Sequence, residues 1–345
     1  MTPNAGKTIL TQTSPGAFRA VACGQDGRPN RLFVQRWSGD GERARYGAIM
    51  EARVKTFADE LRGAFCELSS GEEAFLRLKS RNGLTEGLAL RVKIQSEARD
   101  EKLARVSITE DPLVARDAFD LWCDSIGVNA QVDVKEDRDA VAAAFDDISA
   151  PNVSLPNGGT LHIDRTRALI AFDVDTAGRL DKGSAGARAL SITRDAVSEM
   201  ARQISLRGLG GLVVLDCVSP INASAGERIR DAGRAAFEFN GLSKVKLLKP
   251  SPLGLLEASV PWTVRPVQDI RSDDMAETTL LDLLRDVQRE ADAQPNTFFE
   301  VLLCESVWRA YQKRKIETDR ALVEAFSRRV SLVKTTADKN EVRRA

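Results

Sequence analysis

The chain reads as a mixed α/β protein of 345 residues. Three observations give that class. Around Gly158–Ser219, two apolar strand patterns of period two flank a stretch with helical spacing. From Arg45 to Val106 short strand patterns and turn residues follow one another without a helix. Beyond Asp274, helix and strand patterns alternate. The length allows two or three domains and a sizeable core.

Composition narrows the chemistry. Lys and Arg total 50, Asp and Glu total 50, and His162 is the single histidine. Net charge therefore gives no nucleic-acid signal, and any basic surface has to be local. Histidine triads and multi-histidine zinc sites are excluded. His162 itself falls mid-strand and reads as a packed or edge residue. Carboxylates, a metal or lysine are left to carry chemistry. Cys23, Cys66, Cys123, Cys217 and Cys304 are scattered, with no Cys-x-x-Cys pair, as expected of reduced thiols in the cytoplasm. No leader and no apolar run of membrane-spanning length is found.

In chain order, Thr8–Thr11, Phe18–Ala22 and Arg31–Gln35 read as strands, with a turn at Gly24–Pro29 and a linker at 38–41. Then come strands Gly47–Thr56, Gly63–Leu68, Glu73–Leu78, Ala89–Ser96 and Ala104–Ile108. Five short strands suit an OB-type β-barrel. Such barrels bind single strands by stacking bases on aromatics and meeting phosphates with cations. Phe65 and Phe75 are candidate platforms and Lys102 a candidate phosphate contact, although on the pattern alone two core phenylalanines are the preferred reading. Glu110–Ile126 and Asp137–Ile148 read as helices.

The central stretch carries the chemistry. On Ala168–Asp175, residues Leu169, Ala171, Asp173 and Asp175 share one face, and Ile170, Phe172 and Val174 share the other. Leu161–Ile163 and the polar residues 164–167 suggest a hairpin into it. Thr193 is a plausible N-cap, with Asp195 in the first helical turn. Ala196, Val197, Met200, Ala201 and Ile204 form an apolar stripe. Gly208, Gly210 and Gly211 stop the helix, and Leu212–Leu215 is a short buried strand ending at Asp216. If the two strands are neighbours, Asp173 and Asp216 meet at one sheet edge. Carboxylates about 4–6 Å apart repel unless a proton or cation lies between them. Mg²⁺, which takes oxygen ligands and keeps waters, suits that place. The plainer reading is one aspartate capping a helix and one ending a strand. Downstream, Gly226–Phe239 and Glu277–Ala293 read as helices, Ser243–Lys249 and Leu253–Val260 as strands. Thr297–Cys304, Ser306–Lys313, Thr318–Phe326 and Val330–Lys334 follow as strand, two helices and strand.

The runs LHIDRTRALIAFDVDT and EMARQISLRGLGGLVVLDCV resemble the catalytic core of the ribonuclease E/G family. The likeness takes in Glu199, Ala201, Arg202, Gln203, Leu206, Arg207, Leu209, Gly210, Gly211 and Asp216. It implies a DNase I-like catalytic subdomain (157–265) in which Asp173 and Asp216 hold Mg²⁺. The family's asparagine two residues after the first aspartate is Asp175 here, an auxiliary acid. The run from Gly47 to Leu78 resembles the family's OB-type RNA-binding domain (43–108) and puts Phe65 and Phe75 at its RNA-contacting aromatics. A looser match, without the family's Gly-x-Lys-Gly character, puts Lys102 at its basic contact. Residues 1–42 and 109–156 would form an RNase H-like support and 272–340 a small C-terminal α/β domain.

Departures from the family are as informative. Within 109–156 there is no Arg-Thr motif of the kind that senses a 5′-monophosphate. Ser219 replaces an acid. Ser259–Trp262 replaces a basic Arg-x-Arg segment after Glu257. The zinc-sharing cysteines are absent, so no zinc-linked dimer is expected. The resemblance implies a cytoplasmic, Mg²⁺-dependent endoribonuclease that cuts single-stranded RNA in processing or decay. The contrasting expectation, favoured by Ser219 and the lost basic segment, is an RNA-binding protein that keeps the fold without cutting. Arg309, Lys313, Arg314, Lys315, Arg320, Arg328 and Arg329 make the C-terminal end the most basic region, as a solvated face or an RNA-facing one.

Overall fold

Tight turns between apolar strands set up the first sheet. The structure is a computed structural model that describes residues 8–37, 43–81, 83–100, 102–128, 134–179 and 181–345. β1 (Thr8–Ser14), β2 (Ala17–Cys23) and β3 (Pro29–Arg36) form an antiparallel meander. Gly16 closes the first hairpin at φ +75°, and a Cβ there would lie 2.5 Å from the Trp37 ring. Only glycine meets both demands.

The next five strands close on themselves. β4 (Ile49–Ala58), β5 (Gly63–Leu68), β6 (Glu73–Arg77), β7 (Ala89–Ser96) and β8 (Ala104–Ile108) form a closed barrel in the order β4-β5-β6-β8-β7. β6 and β8 pair in parallel; the other pairs are antiparallel. Val54, Ala64, Cys66, Leu76, Val92, Ile94 and Val106 fill the interior. Small residues at Ala64 and Ala74 let so narrow a barrel close.

After the barrel the chain returns to the first sheet. α1 is shorter than the sequence suggests, Ala118–Ser125 rather than Glu110–Ile126. Pro112 disfavours helical geometry before it, and the Asp117 carboxylate caps the helix by accepting from Phe119 N at 2.7 Å. β9 (Val134–Glu136), a strand without an apolar pattern, pairs in parallel with β1. α2 (Arg138–Asp147) then packs Val141, Ala144 and Phe145 against the apolar side of β2 and β3.

The largest sheet has six strands, in the order β10-β11-β12-β13-β15-β14. These are β10 (Asn152–Ser154), β11 (Thr160–Arg165), β12 (Leu169–Asp175), β13 (Gly211–Asp216), β14 (Lys246–Leu247) and β15 (Leu255–Val260). β14 is only the middle of the expected Ser243–Lys249 strand. α3 (Ala185–Arg207) and α4 (Ala223–Phe239) cover one face, where Ile170, Phe172, Val213 and Leu215 meet Val197, Met200 and Ile204. The opposite face is open, and Leu212 there is 58 % exposed.

α3 corrects one expectation. It starts at Ser184, whose hydroxyl accepts from Ala187 N at 3.3 Å, well before Thr193. Thr193 is buried inside the helix, and Asp195 is in its middle rather than its first turn. The turns before Thr193 open on the small residues Ala185, Gly186 and Ala187, which give no clear apolar stripe. Both residues have other work, described below.

The C-terminal unit comprises α5 (Val267–Ser272), α6 (Met275–Ala293), β16 (Phe299–Leu303), α7 (Glu305–Lys313), α8 (Lys315–Phe326), β17 (Val330–Lys334) and β18 (Glu341–Arg344). Its sheet runs β17-β16-β18. Leu280, Leu284, Val287, Phe299, Val301 and Phe326 form a core that also takes in Ala17 and Trp37. The unit is thereby anchored on the first sheet. No described helix is long and apolar enough to cross a membrane.

Candidate active site

The open face of the large sheet gathers the polar residues. β12 and β13 run parallel, with Ala171 opposite Val214 and Phe172 opposite Leu215. The next step along both strands reaches Asp173 and Asp216. Alternation turns Ile170, Phe172, Val213 and Leu215 toward α3, so both aspartates emerge on the open side. They are neighbours on strands about 4.7–4.9 Å apart, at the strands' carboxyl ends, and both are exposed. Val174 N donates to Asp173 Oδ1 at 2.8 Å. Among the described residues neither carboxylate has an ion-pair partner.

Buried polar groups fix where the strands end. The Thr193 hydroxyl accepts from Val218 N at 3.2 Å, and Cys217 N donates to the Gly254 carbonyl at 3.1 Å. Together they hold the chain just past Asp216. Beyond Asp175, the buried Arg179 guanidinium donates to Asp181, to Asp195 Oδ2 at 2.9 Å and to the Gly158 carbonyl at 3.1 Å. Hydrogen bonding from Arg179 pulls the Asp181 carboxyl down to about 2. Asp195 thus ties the β12–α3 connection to the helix. Asp175 shares the face of Asp173, but its Oδ1 accepts from Ala177 N at 2.8 Å and shapes the turn.

His162 is nearer the aspartates than its sequence context suggested. It pairs directly with Asp173 across the hairpin, and Asn152 pairs with His162 on the other side. Asn152, His162, Asp173, Asp216 and Leu255 therefore form one row across five strands. The hairpin held the clue: Arg165 pairs with Ile170, and counting back three positions on each side reaches His162 and Asp173. Among the described residues no three His, Cys, Asp or Glu converge closely enough to hold a metal. A site of two carboxylates completed by water and phosphate oxygens is below that threshold and is how Mg²⁺ is commonly bound. The hard oxygen donors of Asp173 and Asp216, exposed and without a cationic partner among the described residues, fit that ion.

On the barrel, Phe65 and Phe75 pair across β5 and β6, with ring centroids 5.5 Å apart and edge-on. They are half-buried and outside the barrel core. Gly63 makes room for them: a Cβ there would lie 2.3 Å from the Phe75 ring. Arg105, exposed on β8, pairs with Phe75 and extends the row. This cation escaped the sequence reading, though alternation about Ala104 and Val106 turns it outward. Lys102 is exposed just before β8, its backbone bridged to Arg99.

The α3 residues that carry the family resemblance serve the scaffold. Glu199 is buried and accepts from Arg202 Nε at 3.0 Å, Gln203 Nε2 at 3.0 Å and Arg28 Nη2 at 2.8 Å. Arg202 donates to the Pro29 carbonyl, and Arg207 to Gln203 and the Ile148 carbonyl. The network clips α3 to the β2–β3 turn and to the end of α2.

Residues 123–260 match the model of the ribonuclease E/G family. This central stretch is similar to the ribonuclease E/G family. The match spans β12 and β13 and both aspartates, and leaves the barrel outside. The chain is 40 % identical to ribonuclease E of Haemophilus influenzae over 111 residues, which is 31 % of this chain and 11 % of that protein. It is 36 % identical to ribonuclease E of Escherichia coli over 106 residues, 29 % of this chain and 10 % of that protein. Against ribonuclease G of Salmonella typhimurium it is 26 % identical over 183 residues, 50 % of this chain and 37 % of that protein. The aligned stretch thus covers about a tenth of the ribonuclease E relatives and over a third of ribonuclease G.

Proposed function

We propose that the chain is an Mg²⁺-dependent endoribonuclease that cuts single-stranded RNA in processing or decay. The observation that carries this reading is Asp173 beside Asp216, each one residue past the Phe172–Leu215 pair and inside the ribonuclease E/G match. Asp173 and Asp216 would hold the ion, with Asp175 as an auxiliary acid. When bound, Mg²⁺ supplies activation of water and charge neutralisation at the phosphate. The backbone N–H of Val174 orients Asp173, and the Thr193 hydroxyl holds the exit of β13 beside Asp216. The open sheet face leaves room for a phosphodiester across the row. Attack at phosphorus with loss of the 3′-oxygen would leave 5′-phosphate and 3′-hydroxyl ends.

The barrel would guide the strand. Phe65 and Phe75 offer outward-facing rings, with Arg105 beside Phe75 and Lys102 at the head of β8. Stacking is worth about 1–3 kcal/mol per base. Phe65→Ala and Phe75→Ala are each expected to weaken RNA binding about 5- to 150-fold while thermal stability holds. Fluorescence anisotropy with a labelled oligonucleotide, beside a melting curve, checks this. Unfolding of the variants would return both rings to the core.

The deciding experiment is cleavage of an unstructured, end-labelled RNA with Mg²⁺ and with EDTA. Internal cuts that need Mg²⁺ are expected. Tight RNA binding with no cuts in either condition favours the rival, an RNA-binding protein that has kept the fold. Without an Arg-Thr sensor motif, cleavage is expected to differ less than about threefold between 5′-monophosphate and 5′-hydroxyl RNA, below about 0.7 kcal/mol. A strong preference for the monophosphate would refute that expectation.

A further inference from the structure

Between the first sheet and the C-terminal unit, three arginines converge on one acid among the described residues. Arg19 from β2, Arg271 from α5 and Arg285 from α6 all turn to one carboxylate, Asp282. Arg19 Nη2 is 3.4 Å from it and Arg271 Nη2 3.5 Å. A fourth guanidinium, Arg36 of β3, is engaged by Glu277 at 3.6 Å and by the Thr278 hydroxyl at 2.7 Å. Glu277 is itself shared with Arg314. Asp146 and Asp286 act on Arg19 and Arg285 from farther away, and neither lines the space between the arginines.

That space is a small cavity of about 10 Å³ bounded by Arg19, Arg36, Arg271, Arg285, Asp282 and Phe145. Arg19 is 7 % exposed, its guanidinium rests on the Phe145 ring at 4.5 Å, and its Nε has no hydrogen-bond partner among the described residues. Burial and the neighbouring arginines push Arg19 down to about 9 and Arg285 to about 8. A buried donor without a partner and cations in excess of acids both cost free energy unless something answers them. The volume admits one species the size of a water. Among the described residues Arg19, Arg271 and Arg285 share the single carboxylate of Asp282, so the fitting species is an anion.

We propose that this cavity is a binding site for a single monatomic anion of chloride size. It clamps the C-terminal unit to the first sheet through Arg19, Arg271 and Arg285. Asp282, whose side chain is 38 % exposed, stands at the solvent side and competes with the anion for the same donors. The site is independent of any action on RNA.

Thermal unfolding of the full chain, with sodium chloride titrated against sodium gluconate at constant ionic strength, reads the proposal. A saturable rise in Tm of about 2–4 °C is expected. Arg285→Met removes the chloride dependence. If that variant does not fold, Asp282→Asn decides: freeing donors for the anion lowers the chloride midpoint about tenfold, by removing a full competing charge. Crystals grown in bromide should show one anomalous peak between Arg19 and Arg285. A chloride midpoint unmoved by Asp282→Asn, or a bromide-free cavity holding water, overturns the site.

Discussion

Asp216→Asn is expected to cut RNA at least about 10³-fold more slowly than the wild type while remaining folded, a loss of about 4 kcal/mol from the barrier. The change keeps size and shape and removes one negative charge. A divalent ion held by two carboxylates loses half its anionic ligands, so binding and transition-state charge balance suffer together. Asp216 is exposed, at the end of β13, and no described cation pairs with it. Stability should therefore move by less than about 0.5 kcal/mol. Asp173→Asn should behave alike, because an amide oxygen can still accept from Val174 N. The double variant should be little worse than either single one, since both serve one ion. Single-turnover cleavage beside a denaturation curve separates the outcomes. Full activity in Asp216→Asn would mean that the row on the open face is not the site. A loss of stability equal to the loss of activity would give these aspartates a structural role instead.

Glu199→Ala should have the largest effect on stability, about 3–5 kcal/mol, because it strands buried arginine charge. Arg28 and Arg202 would lose their carboxylate, and Gln203 an acceptor. Burial opposes ionisation of Glu199, but Arg202, Gln203 and Arg28 together hold its carboxyl below the usual range. The sign of the pH dependence follows. A depressed folded-state pKa gives stability that is fully present above the unfolded value, about 4.3, and is lost as pH falls through the folded value. The gap between wild type and Glu199→Ala in urea denaturation should thus be widest near neutral pH and narrow in acid below that unfolded value. A gap that stays constant down to pH 3 would mean that packing, not charge, is what the substitution removes.

Much of this architecture was legible in the residues. The barrel strands at Gly63–Leu68, Ala89–Ser96 and Ala104–Ile108 fall where period-two alternation puts them. The same alternation placed Asp173 and Asp216 on their strands, since a buried strand pair leaves little freedom of phase. What was not legible depends on partners far away in the chain. β9 is exposed and has no apolar pattern; only pairing with β1 makes it a strand. The start of α3 was misplaced because its first turn, capped by Ser184, is built of the small residues Ala185, Gly186 and Ala187, which carry no clear apolar stripe. His162 was undervalued for a similar reason: a lone imidazole on a strand has no meaning until the hairpin register puts it opposite Asp173. On α3, the residues that carry the family resemblance, Glu199, Arg202, Gln203 and Arg207, belong to a buried polar network that holds the helix. Likeness there speaks for scaffold before chemistry.

The pairing of β9 with β1 also bears on how the molecule assembles. The Thr11 hydroxyl donates to the Lys135 carbonyl at 3.3 Å across 124 positions. The whole barrel is threaded between those two strands. Contacts so distant in sequence slow folding, because a long chain must be closed before they form. A barrel that folds early would hold the chain entering β4 close to the chain leaving β8 and so shorten the loop still to be closed. The barrel would then act as a folding staple for the first sheet, and a destabilised barrel should slow completion of a sheet it does not belong to.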